Sequence, residues 1–223
     1  MKRQFAAHKS YKYARGVTNR EIPAPKYVIK QCEKFIEIFD GKSDKYFLDE
    51  EKLNSIDSIL KLLIMPRGLK AGSRIYDCSC GYQWLLYASA LCVVYRENPN
   101  KRRYETVILE VGRKNFKTFT IATIFILLFL LEPKFSKFYS VAPDGALSRE
   151  VKTAIEAMRS GQLNILNKLG CIISTKYPTA NNHFEDEVNY AKRILDGTQN
   201  DETVFSLLYE PDNTEDWKYN LCY

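Results

Sequence analysis

Lys117 and Thr118 are the pair around which chemistry can be built. They follow the loop Val111-Gly112-Arg113-Lys114-Asn115-Phe116, which itself follows the β-branched, apolar run Thr106-Val107-Ile108-Leu109-Glu110. An apolar stretch from Phe119 to Leu131 comes next. The order is strand, short basic loop, helix. Such a junction suits phosphate, because loop N–H groups and the positive end of the helix dipole face the anion. A lysine then reaches the β- and γ-phosphates, and a neighbouring hydroxyl ligates Mg²⁺. The spacing gives these two roles to Lys117 and Thr118. The pattern G-x-x-x-x-G-K-[ST] is incompletely met: Val111 and Phe116 stand at its glycine positions, and Gly112 is displaced by one place. Phe116 is the sharper departure, since glycine there permits φ > 0 or a close backbone approach. The plain alternative is a basic turn between a strand and a helix, with Lys114 and Lys117 solvated.

The segment from Val111 to Thr118 resembles the variant phosphate loop of tailed-phage terminase large subunits, in which Arg-Lys-Asn precedes Gly/Phe-Lys-Ser/Thr. Other segments follow in the family's order. Gly81-Tyr82-Gln83-Trp84 resembles its aromatic–Gln, adenine-contacting segment. Lys137 to Asp144 is similar to the next strand and turn. Ile172 to Pro178 is similar to the strand whose Ser/Thr end couples hydrolysis to movement. Tyr190 to Gly197 and Leu207 to Asn213 look like the end of the motor domain. The resemblance implies an ATP-driven motor that packages double-stranded phage DNA into capsids, with ATP and Mg²⁺ as cofactors. It implies an ATP-binding loop of Gly112, Arg113, Lys114, Asn115, Phe116, Lys117 and Thr118, with Thr118 also on the metal. Arg113 would be catalytic, stabilising the transferring phosphate like an arginine finger. Gln83 would read the adenine, and Ser174 and Thr175 would couple. Implied partners are the capsid portal, a small terminase subunit and further copies in a ring, in the host-cell cytoplasm.

The same reading exposes a gap. A phosphate-loop ATPase needs an acidic residue at the end of a second apolar strand for Mg²⁺ and a Glu to activate water. No run of four apolar residues followed by Asp occurs between Asp144 and Asp212. Phe35 to Asp40 comes nearest, but Val28, Cys32, Phe35, Ile36 and Phe39 share one helical face. By the resemblance, several dozen residues are lacking between about Lys152 and Ile155, and the C-terminal nuclease is lacking too, as in a remnant prophage gene. The alternative function is therefore a nucleotide- or DNA-binding remnant without turnover. A helicase-like motor shares the loop, but not the Arg-Lys-Asn variant or the Ser-Gly-Gln and Tyr-Pro segments. Without the acidic strand, the phosphate-loop strand either loses a neighbour or pairs with 171–175, and marginal stability is expected.

Composition sets wider bounds. The 223 residues suffice for one α/β domain with a helical lead-in, and 45% hydrophobic content supports a packed core. The net charge of +6 permits DNA contact without demanding it. Basic residues crowd the first thirty-odd positions; such a segment could touch DNA or a capsid portal, but without interleaved aromatics or regular spacing it reads rather as a solvated, partly disordered tail. Residues 196–216 are acidic, with no Lys or Arg. The six cysteines include one close pair, Cys78 and Cys80, and lack the repeated spacings of a zinc site. They read as reduced thiols. The charged N-terminus does not read as a secretory leader. The apolar run 119–131 is too short for a membrane span, which needs about 20 residues.

The expected fold class is α/β, a P-loop NTPase-type sheet, mostly parallel and flanked by helices, with a helical N-terminal lead-in. Helices are expected from Tyr27 to Phe39, Asp49 to Ile64, Tyr82 to Tyr95, Lys117 to Leu131, Asp144 to Met158 and Phe184 to Leu195. Strands are expected over 106–111, 138–142, 171–175 and 204–209. This divides the chain into a basic N-terminal segment with the adenine-contact region (1–100), an incomplete ATPase core (101–217) and a truncated end (218–223).

Overall fold

The computed structural model of the protein describes residues 8–66, 68, 70–132, 165–174 and 183–212. The expected strand 138–142, the helix capped by Asp144, Thr175 and the chain beyond 212 lie outside them.

The first helix, α1 (Lys9–Thr18), corrects the expectation of a solvated basic tail over the described part of that segment. Ser10, Tyr13, Ala14 and Val17 fall on one buried face, while Lys12 and Arg15 stay exposed. The 3.6-residue period, not the charge count, decides the outcome. Next come α2 (Lys26–Phe39), β1 (Tyr46–Leu48) and α3 (Glu50–Leu62). On α2 the expected face is buried at Val28, Cys32, Phe35 and Ile36, so this run is an amphipathic helix and not an acidic strand. Asp49 caps α3, its carboxylate accepting from the N–H groups of Glu51 and Lys52 at 3.1 and 3.0 Å.

A short helix, α4 (Ile75–Cys78), leads into α5 (Gly81–Cys92). Every residue of α5 from Tyr82 to Cys92 is buried, as an all-round apolar helix must be. A β-carbon on Gly81 would stand 2.1 Å from the Tyr13 ring, so glycine is what lets α1 lie against the start of α5. The expected helix to Tyr95 is cut short: Val93–Tyr95 forms β2, antiparallel to β1. Two adjacent β-branched residues find strand partners in Phe47 and Leu48, and pairing overrides helical continuation.

The remaining elements among the described residues are β3 (Thr106–Glu110), α6 (Lys117–Leu131), β4 (Gly170–Ser174), α7 (His183–Leu195) and β5 (Val204–Leu208). The three strands make a parallel sheet in the order β4-β3-β5. The strand β3, which leads into the basic loop, therefore keeps two neighbours. On one side it pairs with β4, Glu110 opposite Ser174, and on the other with β5, Glu110 opposite Leu208. Alternation along β3 sends Val107, Leu109 and Val111 into the larger core with α1, α2, α5 and α6. It sends Ile108 into a second cluster with Val188, Ala191 and Leu195 of α7. Helices thus cover both faces, which makes the protein α/β with a parallel sheet. Core residues from Tyr13 to Leu207 belong to one continuous cluster. Among the described residues, no helix is long and apolar enough to cross a membrane.

Polar contacts tie the connections to the sheet. Arg102, 5% exposed, is ion-paired with Glu132 at the end of α6, and its Nη2 donates to the Asn167 carbonyl at 2.5 Å, just before β4. On the other flank, Glu202 accepts from the Tyr46 hydroxyl at 2.8 Å and meets Lys45 at 3.1 Å. The Tyr46 hydrogen bond, then Lys45, holds the Glu202 carboxyl below its ordinary value of 4.5. A carboxyl whose folded pKa is depressed stabilises the fold above its ordinary pKa and loses that contribution as pH falls through the folded value. Urea midpoints measured from pH 6 to pH 3 should therefore decline below about 4.5 less steeply in Glu202→Gln than in the wild type. Parallel profiles would show that Glu202 is not part of the acid limb.

Candidate phosphate-binding site

The loop 111–116 leaves the C-terminal end of β3, the central strand, and enters the first turn of α6. That is the edge of a parallel sheet at which ligands bind. Strand direction and helix N-terminus are thus arranged as the sequence predicts.

Phe116 has φ +56° and ψ +19°, the left-handed conformation that glycine would take at this place, and it is the N-cap of α6. Lys114 is also left-handed, with φ +66°. For a bulky residue this costs about 1–2 kcal/mol. Phe116 is 54% exposed, so burial of its ring does little to offset that cost. The compensation comes from hydrogen bonds to the loop carbonyls. The Phe116 carbonyl accepts from the Thr120 N–H at 2.8 Å and from its hydroxyl at 2.9 Å. The Asn115 carbonyl accepts from the Tyr82 hydroxyl at 2.5 Å.

Lys117 turns back over the loop. Its ammonium donates to the Val111 carbonyl at 2.9 Å and the Gly112 carbonyl at 3.1 Å. This fixes the cation at the mouth of the loop, where a phosphate oxygen can exchange for a carbonyl. Arg113, Lys114 and Thr118 are exposed around it, and Gly112 and Asn115 are half-buried. The structure therefore brings together all of the loop residues picked from the sequence.

Gln83 is placed differently from the expectation of an open base-reading amide. It is 2% exposed. Its Oε1 accepts from the Cys80 N–H at 2.7 Å and its Nε2 donates to the Thr120 hydroxyl at 2.7 Å. Gln83 lies next to the loop, behind it, with both ends of its amide engaged by the chain. Ser174 ends β4 beside Glu110, one strand from the loop; Thr175 lies outside the described residues. Tyr82 and Thr120 are the contributors that the motif pattern passes over. The signal for Thr120 was present, as a hydroxyl inside the otherwise apolar run after Lys117.

Among the described residues, carboxylates are the scarce component. β4 ends in Ser174 and β5 in Leu208, so neither strand flanking β3 ends in an acidic residue. Glu110 is buried at the end of β3, on the Ile108 face and so away from the face that α6 covers. Glu210, just beyond β5, is ion-paired with Lys192. Among the described residues there is no cluster of three or more His, Cys, Asp or Glu that could hold a metal ion. Thr118 can offer one hydroxyl to a Mg²⁺ carried in by phosphate.

None of the described cysteine thiols lies on the loop. Cys32, Cys78, Cys80, Cys92 and Cys171 are free thiols. Burial pushes the Cys171 thiol up to about 12, so it stays protonated. A concavity lined by Thr106, Asp186, Glu187, Tyr190, Asp201 and Val204 lies at the opposite end of β3 from the loop.

No family model matches the chain, and no curated protein or solved structure matches it either.

Proposed function

We propose that the chain binds the polyphosphate of Mg·ATP on the loop Val111–Thr118, as a nucleotide domain of the tailed-phage terminase large-subunit kind, and holds it without turnover. The observation that carries this reading is the loop itself. It sits at the C-terminal end of the central parallel strand, Phe116 takes the conformation usual for glycine, and Lys117 is anchored at the mouth. A solvated basic turn would not need Phe116 in a strained conformation. In this reading Lys117 and the loop N–H groups hold the β- and γ-phosphates, the α6 N-terminus adds its dipole, and Thr118 meets the magnesium. Arg113, exposed on the same loop, would approach the γ-phosphate.

The second reading is the full motor, hydrolysing ATP to drive double-stranded DNA through a portal with a small terminase subunit as partner. The ends of the strands beside β3 favour the first. Hydrolysis needs a carboxylate to orient water and hold Mg²⁺, and Ser174 and Leu208 occupy those ends. Phosphate release under saturating Mg·ATP distinguishes the two. Release at the buffer background, with nucleotide retained on the protein, is expected. Sustained release that vanishes in Lys117→Ala would establish the motor reading.

A further inference from the structure

We infer that Tyr82, Gln83 and Thr120 form a bracket that shapes the phosphate loop, so that the site selects the triphosphate of a nucleotide and not its base. The inference rests on the phosphate-binding reading above and assigns Gln83 a positioning role in place of base contact. Tyr82 and Gln83 are consecutive in the first turn of α5; Tyr82 reaches the loop backbone directly and Gln83 reaches it through the Thr120 hydroxyl. The Tyr82 hydroxyl donates to the Asn115 carbonyl at 2.5 Å. The Gln83 amide donates to the Thr120 hydroxyl at 2.7 Å, and that hydroxyl donates to the Phe116 carbonyl at 2.9 Å. The two chains of hydrogen bonds end on the carbonyls of adjacent residues, Asn115 and Phe116, and Phe116 is the one held at φ +56°.

The bracket is rigid at its base. Gln83 also accepts from the Cys80 N–H at 2.7 Å, closing a capping box at the start of α5. Tyr82 packs edge-on against Tyr209, which follows β5, with ring centroids 5.8 Å apart. Tyr209 in turn donates its N–H to the Glu110 carbonyl at 2.9 Å. The loop is therefore gripped from the helix that precedes it in sequence and from the strand end beside it. Glycine at position 116 would adopt the left-handed conformation unaided. Phenylalanine needs outside contacts to hold it there. With both ends of its amide used in this way, Gln83 presents no edge to a purine.

A loop that is binding-competent only part of the time binds more weakly in proportion to that fraction. Tyr82→Phe and Thr120→Val each delete an oxygen while keeping ring or branch. The test measures equilibrium binding of Mg²⁺ complexes of ATP, GTP and inorganic tripolyphosphate to the full chain and both variants, after circular dichroism has shown each variant folded. Wild-type binding of all three within a few-fold is expected. Each variant should lose about tenfold for all three alike, as one deleted hydrogen bond allows. Adding Phe116→Gly to Tyr82→Phe should restore most of that loss, which a general structural defect would not permit. The inference is overturned if the variants bind as the wild type does or lose ATP alone. It is also overturned if the wild type prefers ATP strongly over tripolyphosphate, or if Phe116→Gly restores nothing. A wild type that binds none of the three ligands would remove the phosphate-binding reading itself.

Discussion

Replacing Arg102 by alanine should cost about 3–5 kcal/mol of stability, the usual penalty for leaving one partner of a buried ion pair without the other. Arg102 is almost wholly buried and faces Glu132, whose side chain is also largely covered. Burial pulls the Arg102 pKa down, and Glu132 opposes that shift, as in a pair that shares a poorly solvated space. The same guanidinium bonds the Asn167 carbonyl, and the Asn167 side chain accepts from the Arg102 N–H at 2.9 Å and donates to the Asn100 carbonyl at 2.7 Å. One residue therefore ties the end of α6 to the approach to β4. Lys168 adds an ion pair with Glu105 at 3.0 Å on the same side. Domains are stable by only about 5–15 kcal/mol, so the loss is a large fraction of the total. Thermal melts should fall by roughly 10 °C. The double variant Arg102→Met with Glu132→Leu should recover much of the loss, because an apolar pair removes both buried charges together. A single variant melting with the wild type would show that the junction is held by other contacts.

Lys117→Ala should remove the stabilisation that Mg·ATP confers. A ligand at a hundred times its Kd raises stability by about 2.7 kcal/mol, which for a chain of this size lifts the melt by roughly 5–10 °C. Hydrogen bonds from a charged donor contribute about 1.5–3 kcal/mol each. Losing two of them weakens binding about a hundredfold or more, and the ligand-induced shift should vanish. The comparison to make is the shift and not the melt itself. In the free protein Lys117 also satisfies the Val111 and Gly112 carbonyls, and alanine leaves these to water. An equal shift in both proteins would move the nucleotide away from the loop.

Much of this was legible in the sequence. The run 106–110 with its loop and following helix reads directly, because β-branched residues, a basic turn and a long apolar stretch each carry their own signal. So does α7, closed by Gly197 at φ +77°. Three features were not legible, for different reasons. The helix α1 was hidden by charge: Lys9, Lys12 and Arg15 continue the basic run of the N-terminal segment, while four residues at helical spacing decide its burial. The strand β2 was hidden by continuity, since nothing in Leu91-Cys92-Val93-Val94 breaks a helix until Tyr46–Leu48 offers a partner. The left-handed Phe116 was hidden because it violates a local preference, and the contacts that enforce it come from residues 82 and 120. Strain of this kind is tolerated where surrounding structure over-determines it, often at functional sites. The pairing of β3 with β4 was one of two outcomes the sequence left open, and only the register of Val107 with Cys171 and of Leu109 with Ile173 decides between them.

The measurement that bears most directly on the central claim is a calorimetric titration of Mg·ATP into the full chain, with inorganic phosphate assayed in the same cell afterwards. A single-site isotherm in the micromolar range, roughly −8 kcal/mol, with no phosphate released beyond the buffer blank, is the expected result. No binding at millimolar nucleotide would contradict it and leave the loop a basic turn between a strand and a helix.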